Sequence, residues 1–507
     1  MNFREKWMCI SACAWLTVMA GGGPAAAQYL DEEKIAAVEQ EKRFSLFGTG
    51  SFEFGQIVKG QYTFAENSDG KLDHYWMQQA LARVGLVTQR KNGFGITIAG
   101  EGVLSFPYSL SSDRKNFGYE LLGPRFRFLP YHTEGSFLIG EEKRPLFYAG
   151  AGFFPYKYNP DGTNFGDYLF RVNPYPQYFP ARFDTPYRHL LGLRLSTCPL
   201  PSLTIDGMLT SEVYLWPLRD FSLSLLVDYR YIDVVDIGLG AVGHRLISVD
   251  ERLTTPPSDM QEPAGGNFSF RGTKLMARLA VSPMAMIREN DFFGKNDFKV
   301  YSEFCLNGVK NYPVTDSANP NFPGYNDRTR RMLVLYGLNW PTHPLLSYTL
   351  IPGWAAFYIN NNEFRGPAII SGCAGLVAGT GLWLIERFLA KDVRLDRFSI
   401  EAEWWDNDFA NSYWGAYPLG ESDKRNPNPW KIDNGLFHTD PYGGPWHWSV
   451  YMKKTIYDRF KLILQFSRDH TVLETTLTGP ANGDPQEAMD GRANWMWMGK
   501  LEYSFDL

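Results

Sequence analysis

The sequence predicts an all-β protein, a transmembrane antiparallel β-barrel of about 14–18 strands, about 16 in the central reading, with a short N-terminal helix. Three observations predict it. Strand-length stretches alternate large apolar and charged residues down the chain to its C-terminus. Aromatic residues make up 16% of the chain although its mean hydropathy is −0.29. An export signal opens it.

The export signal comes first in the chain. Arg4 and Lys6 precede an apolar run from Met8 to Met19, then Gly21 to Pro24 and Ala25-Ala26-Ala27. A basic start, a short apolar core and an Ala-x-Ala site read as a secretory signal over residues 1–27, cut before Gln28. A run of about 12 apolar residues falls short of the about 20 that cross a bilayer as a helix. No Cys stands just after the cut, so nothing supports a lipoprotein anchor. Losing Arg4, Lys6 and Glu5 takes the 50 basic and 55 acidic residues to 48 and 54. That mildly acidic balance disfavours nucleic acid as a partner. Cys9 and Cys13 leave with the signal, and Cys198, Cys305 and Cys373 are too few for a disulfide framework.

Residues 28–43 lack Gly and Pro and carry only Leu30, Ile35 and Val38 as an apolar stripe, so they predict a short helical or flexible segment before the barrel of 44–507. Alternation begins with Phe44, Leu46, Gly48, Gly50, Phe52 and Phe54. Phe94, Ile96, Ile98 and Leu104 oppose Thr97, Glu101 and Ser105. Phe221, Leu223, Leu225, Val227, Tyr229 and Tyr231 oppose Ser222, Ser224, Asp228 and Arg230, and a tight turn at Asp233 leads into Val235, Ile237 and Leu239. Leu275 and Leu279 oppose Lys274 and Arg278; Val300, Phe304 and Leu306 oppose Lys299 and Glu303; Phe398, Ile400 and Trp404 oppose Glu401 and Glu403. Trp446, Trp448, Val450 and Met452 run into a turn at 453–459, then Phe460, Leu462, Leu464 and Phe466. Closure of such strands in lipid satisfies every backbone group and leaves no edge.

Two kinds of connection separate the strands. The turns at Asp233 and 453–459 are tight, while 158–185, 250–267, 311–329, 405–446 and 475–494 are long and rich in Pro, Gly, Asn and Asp. Long loops on one side and short turns on the other are the asymmetry of outer-membrane barrels. Residues 368–385 carry no charge, but their small odd positions (Ser371, Cys373, Gly375, Gly379, Gly381) read better as a strand with a small-residue inner face, followed by a helix-like turn to Lys391.

In residues 495–507, Trp495, Trp497, Leu501, Tyr503, Phe505 and Leu507 alternate with Lys500, Glu502, Ser504 and Asp506. Over 44–507 the chain resembles a porin-like Gram-negative outer-membrane β-barrel. In the C-terminal insertion signal of that class Lys500 fills the polar position, Tyr503 follows, and Phe505 and Leu507 form the hydrophobic pair. Glu502 stands where Gly is usual and Leu507 where an aromatic is common. The resemblance implies outer-membrane lipid as surroundings and insertion by the outer-membrane assembly machinery, and it allows a homo-oligomer.

A charged interior implies water inside, and long loops such as 158–185 can fold inward to set a constriction. The inward candidates are Asp228, Arg230, Lys274, Arg278, Lys299, Glu303, Glu401 and Glu403. Eight His are scattered, none in a hydrolase or metalloprotease motif, so no catalytic residue and no cofactor is assigned. Asn159 to Asn164 with Asp167 lacks calcium-loop spacing and reads as a Pro-Asp-Gly turn, and no metal site is assigned. Trp404 to Asp408 with Tyr413 and Trp414 reads as an interfacial aromatic girdle rather than a sugar site. The expected function is passive diffusion of small hydrophilic solutes, sugars among them. The alternatives are a plugged structural or adhesive barrel displaying its loops, then a rim hydrolase.

Overall fold

The computed structural model describes residues 45–63, 69–71, 74–88, 93–106, 108–109, 120–121, 125–141, 144–166, 168–169, 188–211, 221–247, 272–287, 292–307, 309, 331–343, 347, 394–407, 446–456, 459–469, 472–473, 486–487 and 494–506. The signal at 1–27, the helical segment at 28–43, the span 368–391, Tyr413, Trp414 and Leu507 lie outside them.

Sixteen strands form the wall: β1 Ser45–Lys59, β2 Tyr75–Val87, β3 Gly93–Ser105, β4 Arg125–Glu141, β5 Arg144–Tyr156, β6 Arg188–Leu200, β7 Leu203–Ser211, β8 Phe221–Tyr231, β9 Val235–Ile247, β10 Gly272–Val281, β11 Val300–Asn307, β12 Arg331–Asn339, β13 Arg397–Asn407, β14 Trp446–Ile456, β15 Phe460–Arg468 and β16 Trp495–Asp506. Each strand pairs with its neighbours in sequence, and β16 pairs antiparallel with β1 to close the barrel. Among the described residues no helix is long and apolar enough to cross a membrane.

The period of two sorts the side chains. Phe52, Ile96, Ile98, Leu193, Leu223, Leu225, Leu239, Leu275 and Leu279 are exposed on the outside. Glu53, Gln79, Glu101, Asp206, Lys274, Arg278, Glu303, Glu401, Glu403 and Lys500 are buried on the other face. A wall apolar outside and ionisable inside is stable only with hydrocarbon around it.

The tight connections 142–143, 201–202 and 232–234 fall at one end, and the long ones at the other. Lys453 to Ile456 continue β14 rather than turning, so that connection is only 457–459. The short-turn end also carries two longer connections, 282–299 and 340–396. The second joins β12 directly to β13, its hydrogen-bonded neighbour.

Six strands escape a search for alternation: β2, β4, β5, β6, β7 and β12. In β4, Pro130 cannot donate to the ladder, and the register slips there: Gly100 pairs with Pro130 but Ala99 with His132. Tyr131 is the extra residue, and the alternation changes phase.

At the 232–234 turn both Ile232 (φ 50) and Asp233 (φ 55) are left-handed, as the tightest hairpin turns require. Asp tolerates that region, whereas a β-branched residue is strained in it. Ile232 is 70% exposed and packs little, so nothing offsets the strain. Ile232→Asn is expected to stabilise the barrel by about 1 kcal/mol, seen as a higher urea midpoint in detergent; an unchanged or lower midpoint would contradict the strain.

Candidate functional site

After β5 the chain turns inward. β5 and β13 lie eight places apart in the ring, yet residues 157–169 reach from one to the other. Only a path through the interior joins them. Asn159 starts the segment as an Asx turn, its Oδ1 accepting the backbone N–H of Asp161 (3.1 Å) and Gly162 (3.4 Å). The Pro-Asp-Gly sequence is therefore a turn, and among the described residues no cluster of three or more His, Cys, Asp or Glu is placed to hold a metal.

Wall carboxylates then hold the backbone. The N–H groups of Thr163, Asn164 and Phe165 donate to Glu401 at 2.6, 2.9 and 3.0 Å, and the Tyr301 hydroxyl adds a fourth bond at 2.7 Å. Successive N–H groups converging on one anion form a nest, whose aligned dipoles offset its charge. Glu403 accepts from Gly166 N–H (3.3 Å) and the Tyr168 hydroxyl (2.7 Å), and Glu303 from Tyr168 N–H (2.6 Å). Lys274 takes the opposite polarity, donating to the carbonyls of Tyr168 (2.6 Å) and Leu169 (3.1 Å). Asp161 pairs with Lys299 at 2.5 Å, its carbonyl accepts from Arg397, and Asn164 reaches Asp469 at 2.9 Å.

Apolar packing completes the contact. Tyr158, Phe165, Tyr168 and Leu169 bury against Met208, Leu226, Val242, Met276, Cys305, Leu333 and Leu335 of the inner wall. Burial lifts the Tyr158 hydroxyl well above its ordinary range, and the nearby Glu303 adds to it, so Tyr158 stays neutral. One glycine makes room: a Cβ on Gly337 would lie 2.0 Å from the Tyr301 ring. Gly337→Ala is expected to displace Tyr301 from Glu401 and cost about 1–3 kcal/mol, read as a lower unfolding midpoint; an unchanged midpoint would show that the ring yields freely.

The structure divides the eight sequence candidates. Lys274, Lys299, Glu303, Glu401 and Glu403 hold the inward segment. Arg278 instead pairs with Asp228 (2.8 Å) and Asp236 (3.0 Å), and Arg230, largely exposed at the short-turn end, reaches Asp236 at 3.3 Å. Sequence reading missed further charged pairs on the inner wall of β2–β7. Arg83 pairs with Glu101 at 2.6 Å, Arg194 with Asp206 at 3.3 Å, and His132 meets Glu134 at 2.8 Å. At the closing seam Lys500 sits between Glu53 (3.5 Å) and Glu502 (3.4 Å), and Lys461 reaches Glu502 at 2.8 Å. Glu53, Glu101 and Lys500 stood within recognised alternation; Arg83, Arg194 and Asp206 lay on strands that were not recognised.

The C-terminal positions split between the two faces. Lys500 is inward and buried, while Tyr503 packs with Phe460 and stacks on Phe505 along the opposite face. Trp404 meets Trp446 edge to face at 5.1 Å across β13 and β14. At the short-turn end Asp297 binds Thr342 and Arg394, and His343 stacks on Phe292 at 4.0 Å. Burial holds His343 below the usual imidazole range, and the Arg394 charge adds to this.

No protein-family model matches the chain, and no curated protein sequence matches it. Among solved structures it is similar to the high-pH structure of Pseudomonas putida OprB, at 10% identity and a TM-score of 0.44 over 94% of this chain and 97% of that one. The low-pH structure of the same protein gives 8% identity and a TM-score of 0.39 over 96% and 100% of the two chains. A mutant of Rh. blastica porin gives 8% and 0.37 over 91% and 100%.

Proposed function

We propose that the chain is an outer-membrane channel of porin type, exported by a cleaved signal over residues 1–27 and passing small hydrophilic solutes, sugars among them, by diffusion. The observation that carries this reading is the inward segment 157–169, clamped to one side of a closed sixteen-strand wall by Lys274, Lys299, Glu303, Glu401 and Glu403. A segment fixed across the interior narrows a barrel of this size without breaking its wall. Asp228, Arg230 and Arg278 sit on the neighbouring inner wall, Arg278 lying 5.8 Å from the centre of the Tyr158 ring, and there they would line the solute path. No step of chemistry is needed: selection rests on size and on fixed charge.

The test is single-channel conductance of the purified, refolded mature protein in planar bilayers. Steady openings on the nanosiemens scale are expected. A folded, heat-modifiable barrel that never conducts would sink the channel reading and favour a plugged barrel that displays its long loops.

A further inference from the structure

We propose that the outer face of β13 and β14 is a docking surface for residues 368–385 of this same chain, wound as a helix in the membrane. The observation that carries it is burial on the lipid side of the wall. Leu223, Leu225 and Leu239 on the outer face of β8 and β9 are 51%, 54% and 57% exposed, as a lipid-facing wall requires. Phe398 on β13 and Val450 and Met452 on β14 also point outward, alternating with the inward Ser399, Glu401, Ser449 and Tyr451. Yet they are only 1%, 3% and 3% exposed. With Leu395 they form an apolar cluster against which Trp340, Ile400, Trp448, Leu464 and Phe466 pack, all on the same outer side. Neighbours on one face lie beside a side chain and do not cover it: Ile237, between Tyr229 and Leu279, stays 40% exposed. The burial holds with one copy of the chain present, so the cover belongs to this chain.

Where the burial lies names the stretch. Along the outer face of β14 exposure falls from 47% at Trp446 to 3% at Val450 and Met452, toward the short-turn end. Residues 408–445 leave from the exposed end and carry Glu421, Asp423, Lys424, Arg425, Lys431 and Asp433. Residues 28–43 precede β1, three places from β14 in the ring, and carry Asp31, Glu32, Glu33 and Lys34. The connection 340–396 begins and ends at the buried end, with Trp340 and Leu395 both in the cluster. It holds two uncharged apolar stretches, 345–359 and 368–385, with the polar 360–367 between them, so the chain can enter lipid and return. The first is broken by Pro352-Gly353. The second, wound as a helix rather than the strand its odd positions suggest, sets Ala368, Ser371, Gly372, Gly375 and Gly379 on one side. Ile370, Val377 and Leu384 fall on the opposite side. A face of small residues lets the backbone come close to the bulky Phe398, Val450 and Met452. Its 18 residues would span about 27 Å, near the thickness of the hydrocarbon layer, and a helix satisfies its own backbone there. Glu386, Arg387, Lys391 and Asp392 then return the chain to water before Arg394. The inner face of β13 carries Glu401 and Glu403, so the helix backs the wall to which residues 157–169 are clamped.

The experiment uses the full mature protein refolded into lipid vesicles. A lipid-soluble diazirine, photolysed to a carbene within the bilayer, is mapped onto the chain by mass spectrometry. Leu225 and Leu239 are expected to carry label, and Phe398, Val450 and Met452 at least about fivefold less. Disulfide trapping then identifies the cover. With Cys198, Cys305 and Cys373 replaced by serine, Val450→Cys is combined in turn with Gly372→Cys, Gly375→Cys, Gly379→Cys and, from the opposite side, Val377→Cys. In the folded, heat-modifiable proteins at least one glycine-side pair is expected to cross-link on oxidation, read as a band shift that reduction reverses, and the Val377→Cys pair is not. Label on Val450 equal to that on Leu225 in the parent would overturn the proposal. Shielding of Val450 without a glycine-side cross-link would give the cover to another stretch and overturn it as well. Neither readout uses conductance, so this inference and the channel reading fail separately.

Discussion

Replacing Glu401 with alanine is expected to release residues 157–169 from the wall while the barrel stays closed. The Glu401 carboxylate is buried and accepts four hydrogen bonds, three from consecutive backbone N–H groups. Removing it strands those donors and the Tyr301 hydroxyl together, and each stranded buried group costs about 1–3 kcal/mol. The segment avoids that cost by leaving for water, so docking is lost rather than the fold. The wall is insulated, because its ladder from β12 through β13 to β14 uses backbone groups that Glu401 does not touch. Cys305 reports the outcome. It is fully buried in the apolar cluster beneath the segment, and its thiol is free. With Cys198 and Cys373 replaced by serine, a water-soluble maleimide is expected to label Cys305 slowly in the parent and at least tenfold faster in the Glu401→Ala protein. Conductance is expected to rise with it. Equal labelling rates would show that apolar packing alone holds the segment. Glu401→Gln should fall between the two, since its amide keeps one acceptor but turns a donor toward donors.

The second large effect is expected at the seam where the chain closes on itself. Lys500 pairs with Glu53 between the last strand and the first, and both side chains are almost fully buried. Glu53 also accepts a hydrogen bond from Gln79 on β2. Lys500→Met removes the cation and leaves Glu53 and Glu502 with their charges, a change that costs about 3–5 kcal/mol for a buried pair. A clear fall in the temperature at which the folded band is lost on gels is expected. Glu53→Leu together with Lys500→Met should recover most of it, because the seam pair is then apolar and the remaining carboxylate, Glu502, keeps Lys461 at 2.8 Å. Lys500→Gln separates two roles: if the position served only as the polar residue of an insertion signal, glutamine would be neutral. A loss with glutamine that the double replacement repairs would assign Lys500 to the seam.

Legibility in the sequence followed the physics of each strand. Where the inner face meets charge, as with Lys274 and Arg278 on β10 or Glu401 and Glu403 on β13, alternation was plain. Where the inner face meets the inward segment it is apolar too. Phe154 and Tyr156 on β5, Leu190 on β6, Met208 on β7, and Leu333 and Leu335 on β12 all face inward and are buried. On β5 and β12 both faces are then largely apolar and the period of two fades, while β6 and β7 keep Arg194 and Asp206 on the inner face. Burying the segment does not by itself hide a strand, since β8, β9, β10 and β11 set Leu226, Val242, Met276 and Cys305 against it and still alternate; in β4 the bulge at Pro130 breaks the phase, and the composition of β2 reads as helix.

The sequence by itself determined a β-barrel, a strand number near sixteen and a charged inner face. Those follow from local alternation, which each strand carries whatever its neighbours do. Only the tertiary structure decided what the inner charges are for. Glu401 and Asp228 look alike in the chain, a carboxylate opposite apolar neighbours. Barrel closure brings Glu401 under the backbone of residues more than 230 positions away and Asp228 against Arg278 two strands over. Contacts of such sequence separation are set by register and closure, and no local pattern encodes them.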